Sequence, residues 1–267
     1  MTTHIALAGK GSAGKSTLLP HLVAHVRRAH PDIRLLVVDA DPHMSATTLF
    51  GVAPSATLGQ LRSRYERQLT RGEGLRDTTR EAFAEQAMGA EALLHTPTFD
   101  LLALGHWELS GGQCVVNRVL ERSLAALAGR YDLVLYDHEA GIEHVGRFAS
   151  IPLDLLLLVA TPDPLFLDVA GRVLIRSREV ARPIVRRWLV VNRVQPDDLS
   201  DDRFWQGLRA ASHSGVEIVG LLPESAALRA LSRARTSTLR LGPADPWGRA
   251  VAALGTQVAQ IVRRAAP

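Results

Sequence analysis

The feature that most constrains this chain is the stretch Gly9-Lys10-Gly11-Ser12-Ala13-Gly14-Lys15-Ser16-Thr17, directly after the apolar run Ile5 to Ala8. Gly9, Gly14, Lys15 and Ser16 fit the spacing G-x-x-x-x-G-K-[ST]. Glycines at those positions let backbone N–H groups close around phosphate oxygens, the lysine reaches the β- and γ-phosphates, and the hydroxyl ligates Mg²⁺. A short apolar strand precedes the loop and a helical pattern (Leu18, Leu22, Val23, Val26) follows it. The anion and the helix N-terminus then reinforce each other.

Composition sharpens the reading. Of the 31 Lys plus Arg, only Lys10 and Lys15 are lysine, and both lie in this loop. A lysine kept against that bias suits a compact point charge among phosphates, a place that a planar guanidinium does not fill.

Lys10 is not required by an ordinary phosphate loop. Lys-Gly-x-x-Gly-Lys-Ser resembles the deviant loop of the SIMIBI-class MinD/ParA/ArsA/nitrogenase-iron-protein ATPases. That resemblance implies ATP and Mg²⁺ as ligands and a homodimer that forms on ATP binding. It also implies a catalytic Lys10 that crosses the interface to the partner's nucleotide.

With 267 residues and 46% hydrophobic content, the chain can bury one large core, and one α/β domain with insertions explains its length better than two domains. Its net charge is +4, with arginines spread along the chain among acids, which favours a solvated surface over a nucleic-acid patch. One cysteine suits a reducing compartment. The N-terminus enters a strand at once, without a signal peptide, and the longest apolar run, Leu155 to Ala160, is far short of the ~18 residues of a membrane span. A cytoplasmic protein is expected.

Short β-like runs alternate with helical patterns, which predicts a mainly parallel sheet of seven to eight strands flanked by helices on both faces. The expected strands are Ile5–Ala8, Arg34–Val38, Leu101–Leu104, Leu133–Tyr136, Leu155–Val159, Trp188–Val191 and Glu217–Leu221. Helices are expected near 15–29, 115–128, 166–180, 203–212, 224–233 and 246–264. Residues 53–98 read as an insertion of two amphipathic helices, one over 78–94 with Phe83, Ala87 and Ala90 at helical spacing. In the C-terminal helix, Val251, Leu254, Val258 and Ile261 share a face, and with Trp247 they suit core packing better than membrane binding.

Ligands in such sheets bind at the carboxyl ends of the strands. Asp39-Ala40-Asp41 follows the second strand, where two carboxylates beside a phosphate loop would meet Mg²⁺ and the attacking water. In the MinD/ParA resemblance this is switch I, and Asp41 holds the place of the acid that orients the water. Asp137 ends the fourth strand at the Walker B position, a further Mg²⁺ ligand with Ser16 and Asp39. Gly141, four residues on, is placed to give its N–H to the γ-phosphate. His138, Glu139, Glu143 and His144 fit no strong metal-ligand spacing.

Asp137-x-Glu-Ala-Gly-Ile-Glu-His also looks like switch II of the carbon monoxide dehydrogenase maturation ATPases, CooC. The segment Phe99 to Glu108, followed by Gly111, Cys114 and Val116-Asn117, looks like the CooC stretch that carries a metal-binding Cys-x-Cys. Aligned without a gap, Cys114 falls on the second cysteine and Gly112 on the first, so the family's four-thiolate site across the dimer is reduced to two. Two Cys114 thiolates on a twofold axis could still hold Zn²⁺ or Ni²⁺, with His106 or water completing the shell. The same resemblance gives Asn192 an adenine-reading amide, puts Arg193 beside it, and places Pro223 where the family packs its base.

The expected function is therefore a Mg²⁺-dependent ATP hydrolase that serves a client metalloenzyme during metal or cofactor insertion. The alternative is a ParA/MinD-like positioning or partitioning switch that acts on DNA or a membrane.

Overall fold

The structure, a computed structural model, describes residues 1–70, 88–105, 115–138, 151–179, 183–234 and 236–262. Its strands form one eight-stranded sheet. In chain order they are β1 (Thr3–Ala8), β2 (Leu35–Ala40), β3 (Leu93–His95), β4 (Asp100–Ala103), β5 (Leu133–His138), β6 (Leu153–Ala160), β7 (Ile184–Val194) and β8 (Glu217–Pro223). The spatial order is β3-β4-β2-β5-β1-β6-β7-β8. All neighbours run parallel except β3, which pairs antiparallel with β4.

The described helices are α1 (Lys15–Ala29), α2 (Ser45–Phe50), α3 (Leu58–Thr70), α4 (Val115–Ala128), α5 (Pro164–Glu179), α6 (Asp202–His213), α7 (Ala226–Arg233) and α8 (Pro246–Ile261). They cover both faces of the sheet, which is why β2 and β5 are buried at every residue and read as apolar runs up to Asp39 and Asp137 near their carboxyl ends. On one face Leu18, Leu22 and Val26 of α1 meet Val251, Leu254 and Val258 of α8 over Leu7, Val37 and Leu157. The two helices approach closely at Gly255, where a Cβ would lie 2.6 Å from that of His25. The other face carries Leu58 and Leu61 of α3, Leu124 of α4, Leu167 and Leu174 of α5 and Phe204 of α6.

From β1 the chain crosses by α1 to β2 on one side, and β6 later fills the other side of β1. The carboxyl end of β1 is thus a switch point, where neighbouring connections diverge and leave a crevice. The loop 9–14 lies there.

One expectation needs correction. Residues 93–95 are an edge strand preceded by a π-helical turn, Met88–Ala92, where a helix to residue 94 is expected; Phe83 and Ala87 lie outside the described residues. Leu93 and Leu94 have no strand periodicity of their own, and pairing with Leu102 and Leu101 of β4 decides their conformation. The short α2 after switch I is also unanticipated, because six residues carry too little periodicity to read.

Candidate functional site

The loop after β1 is built from unusual backbone. Gly9 and Gly14 have φ of +142° and +97°, and Ser12 has +68°. At Gly9 a Cβ would stand 2.1 Å from the Val159 carbonyl oxygen, and at Gly14 one would stand 2.4 Å from Asn192 Nδ2. Only glycine fits either place. Gly11 and Ser12 are exposed at the tip, Ala13 is buried, and Gly14 caps α1, whose first turn holds no acid to neutralise its N–H groups. Ser16 and Thr17, in that first turn, are half-buried. The buried Lys15 ammonium donates to the carbonyls of Gly9 (3.0 Å) and Lys10 (3.3 Å), which holds it within the ring of the loop.

Lys10 takes a different place. Its ammonium lies 4.2 Å from the centre of the Phe166 ring, in the first turn of α5.

Parallel register sets Asp39 of β2 directly beside Asp137 of β5, with Leu7 of β1 on Asp137's other side. The two acids differ in their surroundings. Asp39 accepts from the Thr47 N–H (2.7 Å) and hydroxyl (2.6 Å) on Oδ2, and from the Asp41 N–H (3.3 Å) on Oδ1. Its carboxyl is raised by burial, an effect that the Thr47 and Asp41 donors partly offset. Two of these three donors belong to Thr47, so Asp39 anchors α2, while its Oδ1, expected beside Mg²⁺, carries only the 3.3 Å bond.

Both oxygens of Asp137 are buried without a well-formed hydrogen bond. Burial pushes this carboxyl up to about 7; the Ser16 hydroxyl nearby and the Lys15 charge pull it down, while Asp39 and Asp41 push it further up. A divalent cation fits such an orphaned carboxylate, since two oxygens that lack donors are free to ligate.

That shift carries a prediction. A carboxyl at about 7 when folded and 3.8 when unfolded contributes stability that is full below pH 3.8 and lost as pH rises through 7. With no added ligand, the protein should lose up to about 1.4 kcal/mol per pH unit over that window from this group. Asp137→Asn should flatten the slope. Melting curves across the window check it, and parallel slopes for both proteins would contradict it.

Asp41 is half-exposed and held on both oxygens. Oδ1 accepts from the His43 N–H (2.9 Å) and faces its Nδ1 at 3.1 Å, and Oδ2 accepts from the Ser45 hydroxyl (2.6 Å). Burial alone would raise this carboxyl, but the donors outweigh it and hold it below the usual carboxylate range. Sequence reasoning missed Ser45, Thr47 and His43 as supports; the only signal was polar residues just after Asp-x-Asp.

Asn192 corrects an expectation. It is buried at 2% exposure, donates through Nδ2 to the Ala13 carbonyl (3.0 Å), and accepts on Oδ1 from Trp247 Nε1 (2.9 Å) and the Arg193 N–H (3.0 Å). Its Nδ2 is engaged by the loop and its Oδ1 by Trp247 and Arg193, so this buried amide supports the loop from beneath rather than standing open to an adenine edge. Arg193 is exposed in a left-handed conformation (φ +66°), and Pro223 is half-buried nearby at the end of β8, paired with Val194. Cys114, Gly141, His106, Glu139, Glu143 and His144 lie outside the described residues.

A glycine loop on a helix N-terminus, with a buried lysine and paired aspartates at a sheet switch point, is a phosphate-binding arrangement. Residues 5–237 match the model of the CobQ/CobB/MinD/ParA nucleotide-binding domain. The chain belongs to this family. It is a MinD/ParA-type ATPase by fold and sequence. An uncharacterized ATP-binding protein of Methanocaldococcus jannaschii is 29% identical over 221 residues, 82% of this chain and 83% of that one. The carbon monoxide dehydrogenase accessory protein CooC of Rhodospirillum rubrum is 28% identical over 249 residues, 82% of this chain and 90% of that one. The Pyrococcus furiosus cell division ATPase MinD has the same fold, with a TM-score of 0.67 at 20% identity over 98% of this chain and 100% of that one. The loop of this MinD/ParA-type chain sits at the end of β1, in the middle of the sheet. No described helix is long and apolar enough to cross a membrane.

Proposed function

We propose that this chain is a Mg²⁺-dependent ATP hydrolase that closes into a homodimer on binding ATP and serves as a nucleotide switch in metalloenzyme maturation. The observation that carries the catalytic part is Asp137: a buried carboxylate with two uncommitted oxygens, beside the Ser16 hydroxyl and Lys15. Residues 9–17 cradle the triphosphate, and Lys15 neutralises its β- and γ-phosphates. Ser16 and Asp137 are the residues that would hold Mg²⁺, with Asp39 fixing switch I behind them. Bound there, Mg²⁺ supplies charge neutralisation of the phosphate oxygens. Asp41, ionised and rigidly oriented, accepts a hydrogen bond from the attacking water. Arg193 and Pro223 border the base, and Gly141 meets the γ-phosphate.

Support for a client metalloenzyme comes from the likeness to CooC and from the segment that carries Cys114. Two Cys114 thiolates in a dimer give Zn²⁺ or Ni²⁺ half of the usual four ligands.

Release of phosphate from ATP, followed with and without Mg²⁺, tests the reading. Turnover only with Mg²⁺ supports it, and no turnover in either condition contradicts it.

Lys10→Ala should separate binding from assembly. The contact with Phe166 is worth about 1 kcal/mol, so the ammonium is easily exchanged for a partner's phosphate. The variant should bind ATP as wild type does but remain monomeric in light scattering. Normal ATP-dependent dimers with normal turnover would return Lys10 to an ordinary loop cation.

A further inference from the structure

The loop's phosphate-facing geometry is set from beneath by a residue at the far end of the chain. We propose that Trp247 is a positioning residue for the phosphate loop: its indole N–H fixes the Asn192 amide, which holds the Ala13 carbonyl and so aims the loop's N–H groups. The proposal rests on reading residues 9–17 as the nucleotide loop.

Trp247 is itself firmly placed. Asp245 caps α8 by accepting from the N–H groups of Trp247 (2.8 Å) and Gly248 (3.3 Å). The other Asp245 oxygen accepts from the Ser225 hydroxyl (2.9 Å), which also accepts from the Leu228 N–H (3.0 Å) to cap α7. Two helix N-termini are thereby pinned together just beyond β8. The indole is 1% exposed and meets His21 of α1 edge to face, with ring centres 4.9 Å apart. His21 is held in turn by Thr238 Oγ1 at 3.2 Å.

An indole N–H can only donate. It therefore requires an acceptor, and Asn192 Oδ1 is that acceptor at 2.9 Å. The Arg193 N–H, turned by its left-handed backbone, reaches the same oxygen. With two donors converging on Oδ1, the amide NH₂ must face the Ala13 carbonyl. A flipped amide would set NH₂ against two donors and oxygen against oxygen, losing all three hydrogen bonds.

The consequence reaches the loop through one peptide plane. In a trans peptide the C=O and N–H point in opposite directions. Holding the Ala13 carbonyl down on β7 turns the Gly14 N–H away from the sheet, toward the side where phosphate is bound. The lack of room for a Cβ at Gly14 shows how directly the loop rests on this amide.

The test compares Trp247→Phe, which keeps the ring against His21 and removes only the N–H, with Asn192→Leu and with the double variant of the intact chain. Affinity for Mg²⁺·ATP is measured by calorimetry, and melting temperature is measured on the same samples. Trp247→Phe should bind about tenfold more weakly, the worth of the one buried hydrogen bond it removes, and Asn192→Leu, which removes three, at least as weakly. The double variant should be no weaker than the worse single one, because Trp247 acts through Asn192. A lowered melting temperature with wild-type affinity in Trp247→Phe would overturn the proposal, and so would losses that multiply in the double variant. Should Trp247→Phe fold poorly, wild-type affinity in Asn192→Leu overturns it equally. A wild-type protein that binds no ATP would remove the nucleotide reading itself, whereas wild-type binding matched by the variants removes only the positioning role.

Discussion

Lys15→Ala is expected to weaken ATP binding at least about a hundredfold, because charge-assisted hydrogen bonds to phosphate are among the strongest in proteins. The ammonium is buried and already turned into the ring of the loop, toward the carbonyls of Gly9 and Lys10. A triphosphate in that ring carries several negative charges with little water to screen them, and removing the buried Lys15 ammonium takes away the side-chain charge that meets the β- and γ-phosphates. The fold should survive, since the methylene stem lies at the start of α1 rather than in the core between α1 and α8. Calorimetry with ATP checks the affinity and a melting curve checks the fold. Affinity equal to wild type would displace the site from residues 9–17.

The second large effect belongs to Asp41. Asp41→Asn should retain ATP binding while hydrolysis falls about 10²- to 10⁴-fold, the usual contribution of a positioned acid–base group. The amide keeps the shape and can still accept from Ser45, but it loses the charge that orients and polarises water. Because hydrolysis is what reopens the proposed dimer, the variant should accumulate in the ATP-bound assembly. Phosphate release under saturating ATP measures the loss, and a variant turning over at the wild-type rate would move the role to another group.

Much of the fold was legible in the sequence because its signals are local. The spans of α1 and α4 follow directly from helical spacing, and the buried central strands read as apolar runs since both faces are covered. β7 is longer than expected because Arg186 and Arg187, which still pair with β6, hide its first half from a hydrophobicity pattern. The site was legible where chemistry follows chain order, as in residues 9–17. It was not legible where partners are distant. Asp39 and Asp137 look alike as acids after strands, and only the donors on α2 make one an anchor and leave the other uncommitted. The resemblance makes Asn192 an adenine-reading amide, and only Trp247, 55 residues later, shows it engaged from beneath the loop. Phe166 carries no motif at all, and its place under Lys10 comes from α5 starting beside the loop.

The central claim is that ATP, and not ADP, drives two copies of this chain together. Light scattering of Asp41→Asn with Mg²⁺ and saturating ATP, against the same protein with Mg²⁺ and ADP, measures this directly. The account predicts twice the 29.0 kDa chain mass with ATP and a single chain mass with ADP. The same mass in both nucleotides would contradict it.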